Sequence, residues 1–553
     1  MSPEPGDKYK PLDGEEQSSD VDKQEENKLT VEEMVNQTIG ADESKLNLFK
    51  FLGLLSIALM SKMVGAILSY IPIFAGFLNY KDWECITNST TCLKLMANFT
   101  DDLTKFYSRE TICDNSLKPD VDFRWTSDRT SYAIEWGLIC SEEGKGSNLQ
   151  SFFFIGAFIG TIVGAILFDK YGRKILSLVA IAISVTSCFA SSWVKSYEVM
   201  LALRIAHGFG AFVTVSGVEL LTVEFTPSNL RNLGQLVSSF VWSIGAFCII
   251  GVSYGIKKWN HIFLVEGFIL ASTFVVIAVC PESPRFQLIK GKEKDARSTF
   301  KKISKIFKTN EVPEKAEIVY KNYNQSHLEQ VKDFKKYPLM LKNTLHLMVC
   351  WMVIACLSYG LLFSWGKLGT DIYTSILFST LGSFGAKASG MTYFMIQYFG
   401  RKKAVIINFA AICLLFLACI PSYDVKIFKT WTLDNVVCLL TVPFFSGTWS
   451  SVLLLTKELS PTSHRGLCMS MCSAVARIGA FVGPYLTLLY NTIHPRGVFA
   501  IFGGMAAFAA ILTCFNSDST DKPIPATPED LVNQHTDTGH RMLDLEESEG
   551  VKG

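Results

Sequence analysis

Two polar cassettes occur twice in this chain, each time between long apolar runs. Glu224-Phe-Thr-Pro227-Ser-Asn-Leu-Arg231 returns in the second half as Glu458-Leu-Ser-Pro461-Thr-Ser-His-Arg465. Tyr171-Gly172-Arg173-Lys174 returns at nearly the same spacing as Phe399-Gly400-Arg401-Lys402. A fold compatible with this pattern has two similar halves with matched polar hinges. That is the repeat architecture of secondary transporters.

The apolar runs say where those halves sit. Of the 553 residues 49% are hydrophobic, and the mean hydropathy is +0.26. Runs near or above 18 residues with few charges read as membrane-spanning helices, because lipid offers backbone polar groups no other partner. About twelve are present, near 48–79, 147–168, 175–193, 199–221, 233–256, 261–280, 343–365, 372–396, 403–421, 433–455, 467–490 and 497–515. The first 46 residues are polar and acidic, so no secretory signal peptide is expected there and the first span itself targets the membrane. Net charge is +1, which identifies no charged partner, and no nucleic-acid signature is present.

Lys and Arg in short loops mark the cytoplasmic face. The 169–174 and 397–403 loops and the stretch 281–342 are basic, and alternating spans put all three on one face. Both termini then lie in the cytoplasm and segment 80–146 lies outside. That segment carries Cys85, Cys92, Cys113 and Cys140 and the sequons at Asn88 and Asn98. An oxidising compartment suits disulfides and glycosylation alike. Four cysteines allow three pairings, and spacing selects none. The sequons at Asn36 and Asn324 are expected to stay bare.

The expected divisions are a cytosolic tail 1–46, a six-helix bundle 47–280 that includes loop 80–146, a cytosolic linker 281–342, a second bundle 343–515 and a cytosolic tail 516–553. The N-terminal tail reads as disordered to about Thr30. Val31, Met34, Val35 and Ile39 then suggest a short helix at the membrane surface. The linker reads as amphipathic helices that are either solvated or laid against anionic lipid. The C-terminal tail reads as disordered.

Further motifs stand in order along the chain. Glu135-Trp136-Gly-Leu-Ile-Cys140 precedes the second span, Pro281-Glu282-Ser283-Pro284-Arg285 follows the sixth, and the seventh holds Trp351 and Tyr359-Gly360-Leu361. On these and the repeated cassettes, residues from about 31 to 531 resemble the major facilitator superfamily. Within it they resemble the organic cation/anion/zwitterion transporter family (solute carrier 22-like), with the organic-anion branch favoured. The resemblance implies an all-α membrane protein of twelve spans in two pseudo-symmetric six-helix bundles. There are departures: Ala165 replaces the first glycine of the loop signature, Gln397 replaces its aspartate in the second half, and Asn516-Ser-Asp-Ser stands where Pro-Glu-Thr is usual.

The resemblance assigns a gate to Asp169, Arg173, Glu224 and Arg231 in the first half and to Arg401, Glu458 and Arg465 in the second, paired between bundles when the inner side is closed. The plainer reading is orientation alone, through basic loops. Ionisable groups inside spans cost about 2.5–3.5 kcal/mol on insertion scales, so they tend to face an aqueous path. Those groups are Lys62, Arg204, Glu219, Glu266, Lys387 and Arg477. Arg204 and Glu219 share the fourth span and read as a structural pair. Glu266 is expected near interfacial water.

Arg477, in Ala474-Val-Ala-Arg477-Ile-Gly479, is the most informative of them. The resemblance places arginine here in anion carriers and aspartate in cation carriers. Opposite charges about 4 Å apart gain roughly 4 kcal/mol at an effective dielectric of 20. The plainer role is an interhelical partner. Lys387 follows small residues as the lysine of anion carriers does, but counted back from Gly400 it comes two residues early, so the equivalence needs a local gap. Lys62 adds a third positive charge if it faces inward. Trp242, Trp351, Tyr359 and Trp449 match positions where the resembled family lines its cavity with rings.

No Gly-x-x-x-x-Gly-Lys-Ser/Thr loop and no nucleophile or metal constellation is present, and His207 lacks ligand spacing. No enzyme activity, cofactor or metal is expected. The expected function is alternating-access transport of small amphipathic organic anions, with exchange for a counter-anion implied by resemblance, at the plasma membrane. The rival readings are a cation or carnitine-like zwitterion carrier, and a non-transporting membrane receptor or assembly partner. The expected partners are the anion, its counter-anion and the lipid bilayer, with no nucleic acid.

Overall fold

The computed structural model describes residues 48–76, 127–226, 231–307, 327–368, 371–423, 431–517 and 527–533, with short pieces at 28–30, 34, 83–85, 113, 123–125, 317–319, 425–427 and 525. Side chains before 62 in the first span and at 231–236 are outside that description. So are the sequons at Asn36, Asn88, Asn98 and Asn324, the side chain of Cys85, all of Cys92, and the surface helix expected around 31–39 apart from Met34.

Spans 1 to 7 are Leu48–Ala75, Glu143–Tyr171, Arg173–Ser191, Tyr197–Phe225, Arg231–Gly255, Trp259–Val279 and Pro338–Ser364. Span 8 is broken into Ile372–Ala388 and Met391–Phe399. Spans 9 to 12 are Arg401–Ser422, Leu433–Leu459, Arg465–Leu486 and Pro495–Cys514. Ten helices among the described residues are long and apolar enough to cross a membrane. Span 1 counts only from Lys62 there, and span 8 is interrupted where Gly390 takes a left-handed φ of 66°. The local chemistry explains several ends. Pro338 and Pro495 open spans 7 and 12, where a missing N–H costs nothing. Asp371 caps span 8 by accepting the Thr374 amide at 3.0 Å, as a short acidic side chain does at a helix start.

Packing follows the repeat. In the first half span 1 packs on spans 4, 5 and 6, span 4 on spans 2 and 3, and span 3 on span 6. Each pair recurs six spans later: 7 with 10, 11 and 12, then 10 with 8 and 9, then 9 with 12. Spans 2 with 11 and 5 with 8 join the halves, and a two-fold swap of the halves exchanges these two contacts. One glycine pair shows how closely the halves copy each other. A Cβ on Gly245 would lie 2.5 Å from the Met63 carbonyl, and one on Gly479 would lie 2.1 Å from the Met352 carbonyl. Aligning Glu224 with Glu458 brings these two glycines to the same position of the repeat. Small residues are what lets lipid-embedded helices touch at the backbone.

Outside the spans the structure corrects two expectations of disorder. Lys28–Thr30 pairs in parallel with Glu317–Val319 of the linker. In the C-terminal tail, residues 528–533 are helical. Leu531 is buried with Phe334, Met340 and Cys468, and Pro525 accepts the Thr462 amide at 2.9 Å. A polar composition hides these few apolar anchors. Before span 2, Cys113 and Cys140 form a disulfide. The Trp259 indole donates to Glu135 at 2.7 Å and packs on Trp136. The bundle thus has a disulfide end and a linker end.

Candidate functional site

Gly172 separates spans 2 and 3 with φ 97° and ψ 161°, a region reserved for glycine. The open N-terminus of span 3 is filled by Glu282, whose carboxylate accepts the amides of Arg173 at 3.1 Å and Lys174 at 3.1 and 3.2 Å. A carboxylate is favoured there by the unpaired amides and the helix dipole. A Cβ on Gly172 would lie 2.4 Å from that carboxylate. Arg173 folds back beneath it, pairing with Asp169 at 3.2 Å and Glu224 at 3.1 Å and donating to the Phe168 carbonyl at 3.2 Å.

The second half has a thinner version of this gate. Arg401 meets Glu458 at 2.9 Å. Gln397, in the place of Asp169, donates instead to the Tyr393 hydroxyl at 3.1 Å. Arg465 donates to Thr462 at 3.3 Å. Arg231 opens span 5, and its side chain is outside the described residues. Each of these ion pairs stays inside one half, so they do not form the bridge between bundles expected of a closed inner side.

Contacts between the halves gather elsewhere. At the disulfide end Arg129 donates to the Tyr373 hydroxyl at 2.8 Å, Tyr485 donates to Asn148 at 2.8 Å and Asn491 donates to Glu143 at 2.7 Å. Further in, Phe154 meets Tyr359 at 4.7 Å and Phe240 meets Phe384 at 5.3 Å.

A charged group lies between spans 1, 4, 10 and 11. Lys62 pairs with Glu219 at 2.9 Å. Glu219 also feels the charges of Lys457 and Arg477. The Arg477 guanidinium lies 4.1 Å from the Phe212 ring, reaches Ser473 only at 3.4 Å, and has a buried Nε without a hydrogen-bond partner. The Trp242 ring lies 3.1 Å from where a Cβ on Gly65, about one turn along span 1 from Lys62, would sit. Tyr359 acts electrostatically on Arg477. Lys387 donates to Ser243 at 2.9 Å and to the Ser239 carbonyl at 3.0 Å across the span 5–8 contact. The helix break at Ser389–Gly390 lies between Lys387 and Gly400, where the two-residue offset needs a change of register. Trp351 donates to Thr456 at 3.0 Å and packs edge-on against Trp449 at 5.6 Å, so these two rings brace spans 7 and 10.

Two sequence readings fail here. Arg204 and Glu219 lie some four helical turns apart on one helix, roughly 22 Å at 1.5 Å per residue, and do not pair. Glu266 is not near water but 1% exposed. Instead Arg204 donates to His207 Nδ1 at 3.3 Å, His207 Nε2 lies 3.6 Å from Glu266, and the Cys188 thiol donates to Glu266 at 2.9 Å. Spacing along the chain concealed this cluster, because its members come from spans 3, 4 and 6.

The Cys188, His207 and Glu266 donor atoms lie within 4.8 Å of one another, a set that zinc accepts. The fit fails on one hydrogen bond. Arginine only donates, so His207 Nδ1 accepts and the ring proton sits on Nε2, which therefore has no lone pair for a metal. The cluster is a hydrogen-bonded knot. In the matching spans 9 and 10 a pair of thiols stands instead, Cys419 beside Cys438 with sulfurs 3.6 Å apart. Aligning Glu224 with Glu458 puts Cys438 at the position of Arg204.

Three residues of these sites escaped the sequence reading. In the sequence Glu282 stands out only as part of a motif, and Phe212 is one of 40 phenylalanines. Lys457 had a usable signal, since it breaks the repeat: Val223 precedes Glu224 where Lys457 precedes Glu458.

The pattern of the sugar (and other) transporter family matches residues 115–521. Organic anion transporter 3 of Sus scrofa is 25% identical over 417 residues, covering 73% of this chain and 74% of that protein. The Homo sapiens protein of that name is 24% identical over 434 residues, covering 76% and 77%. Solute carrier family 22 member 6-B of Xenopus laevis is 23% identical over 466 residues, covering 81% and 80%. Among solved structures, the major facilitator proton:xylose symporter XylE superposes with a TM-score of 0.56 at 14% identity, covering 87% of this chain and 98% of that one. The inward-open form of the E. coli protein gives 0.54 at 13% identity, covering 87% and 99%.

Proposed function

Because the chain belongs to the sugar (and other) transporter family, we propose that it carries small amphipathic organic anions across the plasma membrane by alternating access, in exchange for a counter-anion. It is a multi-pass membrane transporter of the major facilitator fold, not an enzyme. The substrate class rests on one observation. Among the described residues Lys62, Lys457 and Arg477 act on the carboxylate Glu219, three positive charges against one negative and a formal surplus of +2. Arg477 keeps a buried Nε without a hydrogen-bond partner among the described residues, and a guanidinium pairs bidentately with carboxylate or sulfate. Phe212 and Tyr359 are aromatic neighbours of Arg477, and aromatic surroundings suit a flat apolar body. The organic anion transporters among its relatives agree with this class.

In this reading residues 47–280 and 343–515 are the moving bundles, 281–342 is the cytosolic linker, and 1–46 and 516–553 are cytosolic tails. Loop 80–146 lies outside, in keeping with the Cys113–Cys140 disulfide, and carries glycans at Asn88 and Asn98. Contacts gathered at the disulfide end, with linker-end ion pairs kept inside each half, fit an inward-facing carrier. The gate residues would re-pair across the halves when the inner side closes.

The test is uptake of labelled organic anions, cations and zwitterions into cells expressing the chain, beside Arg477→Ala and Arg477→Asp at matched surface amounts. Saturable anion uptake that both substitutions abolish is expected. Cation uptake indifferent to Arg477 would refute the reading. A zwitterion substrate is the second reading, favoured by Glu219, whose side chain keeps 39% exposure beside Lys62. Zwitterion uptake lost in Glu219→Gln would select it. A protein at the surface that moves none of the three classes would be a receptor or assembly partner.

A further inference from the structure

We infer that Glu219 is the resident counter-ion of the transport site, a carboxylate that competes with the transported anion for Lys62, Lys457 and Arg477 and so sets which anions are accepted. This inference rests on the anion-carrier reading above. Lys62 and Glu219 come from the first half and Lys457 and Arg477 from the second, so one carboxylate serves cations on both moving bodies. Its bond to Lys62 at 2.9 Å is direct. Lys457 is half-buried, makes no hydrogen bond or ion pair among the described residues, and has Glu219 as the acid acting on it. Arg477 likewise has Glu219 as its electrostatic acid, beside an unpartnered Nε.

The repeat singles out the same residues. With Glu224 aligned to Glu458, Leu453 stands opposite Glu219 and Val223 stands opposite Lys457. Neither charge belongs to the duplicated gate. Each breaks the repeat in its own half, the two are of opposite sign, and each acts electrostatically on the other across the halves.

The physical consequence is competition. Three cations inside a membrane would be costly without an anion, and Glu219 supplies one while the site is empty. An arriving anion feels the cations and is repelled by the carboxylate. Removing the carboxylate charge deepens the well for any anion. It also slows release, so affinity and turnover move in opposite directions.

The experiment uses the full chain in cells, with a labelled aromatic monocarboxylate and a labelled quaternary ammonium ion as probes. Glu219→Gln is expected to lower the KM for the monocarboxylate by about tenfold and to lower the maximal rate, as loss of a nearby like charge implies. Lys457→Met is expected to raise that KM by a similar factor. Lys62→Met with Glu219→Gln restores the formal +2 and is expected to return KM close to wild type. An unchanged or raised KM in Glu219→Gln, with anion uptake still dependent on Arg477, overturns the inference and leaves the anion reading standing. If Glu219→Gln fails to reach the surface, Lys457→Met decides, and an unchanged KM there overturns the inference. Uptake of the ammonium probe with no anion uptake by the wild type overturns both.

Discussion

The two halves share a packing plan and differ in how firmly their polar groups are held. In the first half Arg173 is 9% exposed and satisfies two carboxylates and a carbonyl, with Glu282 locking the helix start above it. In the second, Arg401 is 35% exposed and pairs with Glu458, while Gln397 replaces the aspartate that would have been its second partner. The inner knots differ in the same way. Spans 3, 4 and 6 hold Arg204, His207, Cys188 and Glu266 together, whereas the matching place in spans 9 and 10 holds two thiols. The repeat keeps the helix contacts, which depend on shape, and not the charges, so the first half is the more rigidly wired body.

That contrast can be broken by substitution. Arg173→Ala leaves Glu224 buried without its partner and is expected to cost about 3–5 kcal/mol, the range for breaking a buried pair. Arg401→Ala is expected to cost about 1 kcal/mol or less, as for an exposed pair. Thermal unfolding of detergent-purified protein measures both, and equal losses would remove the asymmetry. Glu266→Ala is expected to cost about 3 kcal/mol by removing the buried acid that offsets the Arg204 charge, against about 1 kcal/mol for Cys438→Ala, by the same assay.

Gly172→Ala is expected to cost about 3 kcal/mol, combining a glycine-only backbone with the approach of Glu282. Gly400→Ala, with φ 81° and ψ 167°, is expected to cost nearer about 1–2 kcal/mol for the backbone alone. The smallest effect sharpens the comparison by repair. Gln397→Asp restores the missing aspartate and is expected to stabilise by about 0.3–1 kcal/mol, with monocarboxylate uptake changed less than twofold. Destabilisation would mean that the second gate has reorganised around the Tyr393 contact.

Much of this is legible without coordinates. The spans, the repeat and the charges placed inside spans follow from local pattern and the cost of charge in lipid, whereas the gate residues come from the family resemblance and pair within each half rather than across the halves. What stays hidden comes from distance along the chain. Sequence alone puts Glu266 near water because its place in the span is readable and its helix face is not. It matches Glu219 to Arg204 because both lie on one span, when the partner Lys62 is 157 residues away. The break in span 8 is a local feature it misses, as is the helix at 528–533. Ser389 and Gly390 supply that break, and small residues inside an apolar run are too common to signal one.

The sequence by itself determined the number of spans, the duplication and the kinds of charge placed inside the membrane, because lipid penalises every unpaired polar group and so writes its demands on each segment separately. Only the tertiary structure decided which charges meet. Half a turn of helix moves a side chain from lipid to the interior, and that orientation is set by neighbours distant in the chain. Glu219 between Lys62 and Lys457 exists only once three helices have packed, and His207 between Arg204 and Glu266 only once two have.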